Sequence, residues 1–198
     1  MDTSTLQPDR YTRGDTGDFR QVDASGNDNP VLGWSGGVVY RAVAAGSAHT
    51  STTTEALIGS FSIPANTLVV GSVIEVEYQG IATAATNTDT LTIKLYIGGL
   101  SGTALLTGTG TDIAANAIFS GKCTVVLRTI GTSGTFVAHG HHTDVPAASG
   151  TATIGIAEIT ASTAIDTTAA QVVGVGADWS TTDVNNSCRL DIMVVKIY

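Results

Sequence analysis

The run AHGHHTD brings His139, His141 and His142 together with Asp144. Imidazole and carboxylate are common zinc ligands, and on a strand His139 and His141 project to one face, where they could ligate a metal together with Asp144. The tetrahedral complement is then incomplete without ligands from elsewhere. A polar strand end containing histidines is therefore the better reading, and only a ring completed about a trimer axis keeps His139 and His141 as metal candidates. No resident cofactor is expected. Arg13-Gly14-Asp15 spells the tripeptide that integrins recognise, but a three-letter match in a polar stretch is weak. Asp112, Asp144, Asp166 and Asp178 fall in loop-like places that could bind calcium, without the spacing of a helix-loop-helix calcium site. A hydrolase would need Ser, His and Asp in a recognisable setting, or paired carboxylates in a cleft, and the glutamates Glu55, Glu75, Glu77 and Glu158 form no such pair. Glu75 and Glu77 point the same way on one strand, as on a solvated face. The reading is non-enzymatic. Trp34 and Trp179, with Tyr11, Tyr40, Tyr78, Tyr96 and Tyr198, could stack on sugars, although aromatics scattered singly along strands are more often core or interface anchors.

The elements that would position these residues are strands. In residues 68–99, Ile74, Val76 and Tyr78 alternate with Val73, Glu75 and Glu77, and Leu91, Ile93, Leu95 and Ile97 alternate with Thr90, Thr92, Lys94 and Tyr96. A period of two places alternate side chains on opposite sheet faces, so each run is a half-buried strand. Residues 80–89 read as an open loop joining the two into a hairpin-like unit. Around this pair lie GVVYRAVAA, EALIGSFSIPANT, IFSGKCTVVLRTIG, GTFVAHGHH, TATIGIAEIT, AAQVVGVGADWS and NSCRLDIMVVKIY, making about nine strand candidates at the spacing of a sandwich or jelly roll. Turns are expected at residues 64–66 and 70–72, with a short helical turn at 112–117 and the last strand holding Tyr198 in the sheet.

Composition agrees. Charged residues are 13% of 198, and 23 glycines accompany abundant Thr, Ala and Ser, a balance suited to strands and turns rather than long helices. A net charge of −8 with nine Lys and Arg speaks against a nucleic-acid partner. No run approaches the roughly 18–20 apolar residues of a membrane span, and Met1-Asp2 opens no secretory signal, so a soluble protein made in a cytoplasm is expected. Cys123 and Cys188 read as buried small hydrophobes rather than a disulfide. Residues 1–36 differ in texture: charged, with two of the four prolines and no sustained periodicity, they read as an extended arm that needs another surface to lie on. Its candidate partner-contacting residues are Arg10, Tyr11, Arg13, Phe19 and Arg20. Residues 37–198 form the sandwich. The fold class is all-β, an antiparallel β-sandwich of jelly-roll type with an extended N-terminal arm.

Three segments, FSIPANTLVVGSVIEVEYQG, TDTLTIKLYIGG and IDTTAAQVVGVGADWSTTDVNNSCRLDIMVVKIY, resemble virion structural proteins of tailed bacteriophages that carry a jelly-roll or related sandwich module. The likeness covers residues 61–198 with gaps and leaves out the arm. It implies a capsid decoration (cement) protein contacting the major capsid protein or another virion protein, assembled in the host cytoplasm and often trimeric. The alternative it implies is a tail-associated receptor- or carbohydrate-binding module, whose contacts would come from loops such as residues 98–111 or 140–150.

Overall fold

A computed structural model of the chain describes residues 10–12, 19–22, 28–30, 37–86, 88–144, 150 and 154–198. Its strands are β1 (Arg10–Thr12), β2 (Phe19–Val22), β3 (Asp28–Pro30), β4 (Gly37–Arg41), β5 (His49–Thr50), β6 (Ala56–Ile63), β7 (Val73–Thr83), β8 (Thr90–Ile97), β9 (Thr103–Thr111), β10 (Ala117–Thr129), β11 (Gly134–Thr143), β12 (Ile154–Ile165), β13 (Gln171–Trp179) and β14 (Ser187–Ile197). All pairings are antiparallel.

One sheet has the order β12-β11-β10-β7-β14-β4, with β5 also on β14, and the other has the order β6-β13-β8-β9. Numbering β4, β6, β7, β8, β9, β10, β13 and β14 as first to eighth, the sheets read 1-8-3-6 and 2-7-4-5. That is the jelly-roll order. The hairpin β11–β12, inserted between the sixth and seventh strands, widens the first sheet beyond β10 and lies against β9 of the second. Alternate residues of both sheets point inward into one apolar cluster that includes Ile74, Val76, Tyr78, Leu91, Ile93, Leu95, Phe119, Val125, Phe136, Val175, Trp179 and Val195. Burying each large side chain contributes about 1.5–3 kcal/mol. The chain end is fixed by reciprocal backbone bonds, Tyr198 N–H to Val73 O at 2.9 Å and Val73 N–H to Tyr198 O at 3.0 Å.

Several local expectations change. β7 and β8 do not pair with each other: β7 lies between β10 and β14, whereas β8 lies between β13 and β9. Alternation identifies a strand and says nothing of its neighbour, and in a jelly roll this connection crosses from one sheet to the other. β7 also runs on to Thr83, so the loop begins later than residue 80. β9 occupies what reads as a loop in the sequence. Residues 112–116 are a bend, an isolated bridge and a turn leading into β10 at Ala117, and the only helical turn among the described residues is Gly99–Ser101. Within the span of the expected arm, β1, β2 and β3 form a small sheet in which Tyr11 pairs with Arg20, Arg10 with Gln21, and Thr12 with Phe19. Arg13 and the rest of the Arg-Gly-Asp tripeptide, together with Trp34, lie outside the described residues.

Candidate functional site

The histidine run lies on β11, and the pleat divides it. His139 and His141 face outward and are exposed, while His142 shares the inward face with Phe136, Ala138 and Gly140 and is buried. Asp144 follows the parity of His142, so the weak candidate metal set of His139, His141 and Asp144 is not assembled: the carboxylate approaches His142. No group of three metal-ligating side chains forms among the described residues. Asp112, Asp144, Asp166 and Asp178 are likewise not gathered into one such group, and Asp166 is occupied in its own turn, accepting from Thr168 N–H at 2.9 Å and Thr168 Oγ1–H at 2.6 Å.

His142 belongs to a polar chain in the core. Tyr78, 1% exposed on β7, lies 2.7 Å from His142 Nδ1 through its hydroxyl oxygen, and His142 Nε2 lies 3.5 Å from Asp144 Oδ1 without hydrogen-bond geometry. Burial holds the Tyr78 proton firmly, so the hydroxyl donates to Nδ1 and the ring proton sits on Nε2. Burial, aided by the nearby His141, pushes the His142 imidazole down to about 4, and burial also raises the Asp144 carboxyl. The carboxylate at 3.5 Å pulls His142 the other way, but desolvation is the larger effect on an imidazole 1% exposed. Two glycines make room for the chain. A Cβ at Gly108 would stand 1.9 Å from His142 Cδ2, and one at Gly121 would stand 2.4 Å from the Tyr78 hydroxyl oxygen.

The outer face of the widened sheet is polar and mixed in charge. Register rows run Lys196-Glu75-Thr124-His139-Glu158 and Val194-Glu77-Lys122-His141-Ile156 across β14, β7, β10, β11 and β12. Lys196 Nζ stands 4.0 Å from Glu75 Oε2, and Glu77 is exposed, as the sequence reading expects of a solvated face. A shallow groove of about 290 Å³ lies over β10, β11 and β12.

On the outer face of the second sheet, Glu55 accepts from Tyr96 O–H at 2.8 Å and from Lys94 Nζ–H at 3.1 Å, a clamp that ties the approach to β6 onto β8. The hydrogen bond that Lys94 donates to Glu55 raises the Lys94 ammonium, and burial raises the Asp178 carboxyl on neighbouring β13. Sequence reasoning missed this cluster because Glu55 and Lys94 are far apart in the chain, and no local spacing announces them.

Among the described residues, the aromatics do not form a platform. Trp179 and Tyr78 are core residues, Tyr40 stacks on Phe61 with centroids 5.4 Å apart, and Tyr96 belongs to the Glu55 clamp. Cys123 and Cys188 are free and buried, as expected, and burial pushes both thiols up to about 12. Of the two loops expected to hold contacts, residues 98–111 are mainly the helical turn and β9, whereas 140–150 falls partly on β11 and partly outside the described residues.

No protein-family model matches the chain, and no curated protein sequence matches it significantly. Among solved structures it is similar to a chain of infectious bursal disease virus, Gt strain, at 13% identity and a TM-score of 0.38, covering 94% of this chain and 41% of that one. The Gx strain gives 14% identity and a TM-score of 0.34, with 96% and 37% covered. Lectin I-B4 from Griffonia simplicifolia, in its metal-free form, gives 11% identity and a TM-score of 0.31, with 97% and 92% covered. The chain thus spans less than half the length of the two viral chains. At this similarity nothing about function passes from any of them to this protein.

Proposed function

We propose that the chain is a non-enzymatic virion structural protein, a capsid decoration (cement) protein that bridges neighbouring capsid subunits through residues 1–36 and the sandwich, acting as a homotrimer. One observation carries this reading. The three segments that resemble phage virion proteins map onto β7, β8, β13 and β14, and in the fold these are partners: β7 pairs with β14 and β8 with β13. A likeness scattered along the sequence therefore converges on the centre of both sheets. The mechanism is mechanical. Interface area added between capsid subunits opposes outward pressure, and symmetric closure multiplies each contact.

The copy number per particle tests this, by quantitative mass spectrometry of purified virions. Decoration requires a count comparable to that of the major capsid protein. A count of only a few trimers would replace this reading with a tail-associated receptor- or carbohydrate-binding module. The arm supplies a second expected result: removing residues 1–36 should abolish attachment to capsids while leaving a folded sandwich, measured by co-sedimentation and circular dichroism. Unchanged saturation of capsids by the truncated chain would refute the arm's role.

A further inference from the structure

The groove on the widened sheet is built rather than incidental. Phe136 pairs with Thr163 and Ala138 with Ile159, so Thr160, Ala161 and Ser162 bulge out of the ladder beside Val137. Bulges re-aim side chains, and this one places Thr160 at the rim. Val126 and Val137, opposite each other in register, form an apolar floor. At one end Thr124, His139 and Glu158 form a single cross-strand row, and at the other stands Arg128. Four residues of strand separate Thr124 from Arg128, about 13 Å, and two strand spacings separate Thr124 from Glu158, about 10 Å. The volume of about 290 Å³ is near the lower end of small-ligand sites.

Among the described residues, the charges lining it are uncommitted. Lys94, Lys196 and Arg189 each have a carboxylate within 4.0 Å, whereas among the described residues neither Arg128, His139 nor Glu158 takes part in an ion pair. Arg128 presents a planar fork of donors suited to a carboxylate. Glu158, ionised, can only accept, and so calls for hydroxyl donors. A bare anion would satisfy Arg128 and leave Glu158, at the opposite corner of the groove, unused. An apolar molecule would use the valines and strand both charges in a drier site. The ligand class that uses every part carries a carboxylate, several hydroxyls and a C–H face.

We propose that this groove binds a short carboxylate-bearing saccharide, its acid group on Arg128, its hydroxyls on Glu158, His139, Thr124 and Thr160, and its ring C–H face on Val126 and Val137. The attraction is local, because a chain of net charge −8 does not gather polyanions over its whole surface. The inference does not depend on where in a particle the protein sits.

The test uses the full chain against an array of hexuronate-containing, sialylated and neutral oligosaccharides, followed by titration calorimetry of the best hit. Acidic saccharides should bind in preference to their neutral counterparts. Arg128→Gln should lower affinity about tenfold, the size of one charge-assisted contact, and so should Glu158→Gln. Both side chains lie on the outer face, so unchanged melting temperatures should accompany these losses. Absence of any acidic hit at millimolar concentration would overturn the proposal, as would wild-type affinity in both variants. Displacement of the saccharide by inorganic sulfate, with sulfate binding equally well to Glu158→Gln, would reduce the groove to a plain anion site and overturn it too. Since no particle is needed, these outcomes are separate from the copy-number result.

Discussion

Gly80→Ala should destabilise the protein by about 3 kcal/mol, the upper part of the range for overpacking a close-packed core. Gly80 lies on β7 with the inward parity of Tyr78 and Ala82, and in register it faces Phe119 on β10 and Leu190 on β14. A Cβ there would stand 2.3 Å from the Arg189 carbonyl oxygen and 2.3 Å from Phe119 Cζ. The carbonyl belongs to the backbone of a strand paired on both sides. The ring is 0% exposed and has no free volume to enter. Alanine also restricts the unfolded chain, which returns about 0.4–1 kcal/mol and does not reverse the sign. For a domain of this size the melting temperature should fall by roughly 6–12 °C, with the urea midpoint lowered and the m-value unchanged. Gly37→Ala is the control, because a Cβ there meets nothing within 4 Å. Equal melting temperatures for the two variants would mean that the approach of β7, β10 and β14 is not as described.

The same position shows why much of this fold was legible in the sequence and part of it was not. All nine strand candidates became strands, because each presents apolar residues at alternate positions wherever one face meets the core. β9 escaped for the opposite reason. Its inward positions include Leu106, Gly108 and Gly110, and glycine carries no apolar signal although the site demands it. Gly108 is small because His142 needs the space. That reason lies on another strand and is invisible locally. Partner choice was likewise hidden: period two placed Tyr78 and Leu91 in strands but could not tell that β7 and β8 belong to different sheets. The histidine site was within reach of the same counting. Parity alone separates His139 and His141 from His142 and Asp144, and following it would have exchanged a surface metal site for a buried polar chain. The Glu55 clamp and the groove at Arg128 have no sequence signature, because sheet register assembles them from distant segments.

The buried chain has a consequence for acid stability. In the unfolded protein His142 takes up its proton near pH 6.5, whereas in the folded protein burial delays this until about pH 4. Between those values the unfolded state binds the extra proton, so stability falls as pH falls through the window, by about 3 kcal/mol in all. His49, also lowered by burial, acts with the same sign. Asp144 and Asp178 act against both: their folded carboxyls are raised by burial, so protonation on acidification relieves a buried charge and offsets part of the loss. Asp89 and Asp166 are lowered by their hydrogen bonds and lose their contribution only below the usual carboxylate range. The share that belongs to His142 is therefore read from the difference between the wild type and a variant that does not titrate at this position. Wild-type melting temperature should decline between pH 6.5 and 4, and His142→Gln, which offers the Tyr78 hydroxyl an amide oxygen and does not titrate, should decline with a clearly shallower slope. An NMR titration of the His142 ring should place its midpoint near 4. Parallel slopes in the two proteins, or a ring that titrates near 6.5, would show that His142 is not held neutral by the core, and the Tyr78–His142–Asp144 chain would lose its claim to set the acid limit of the fold.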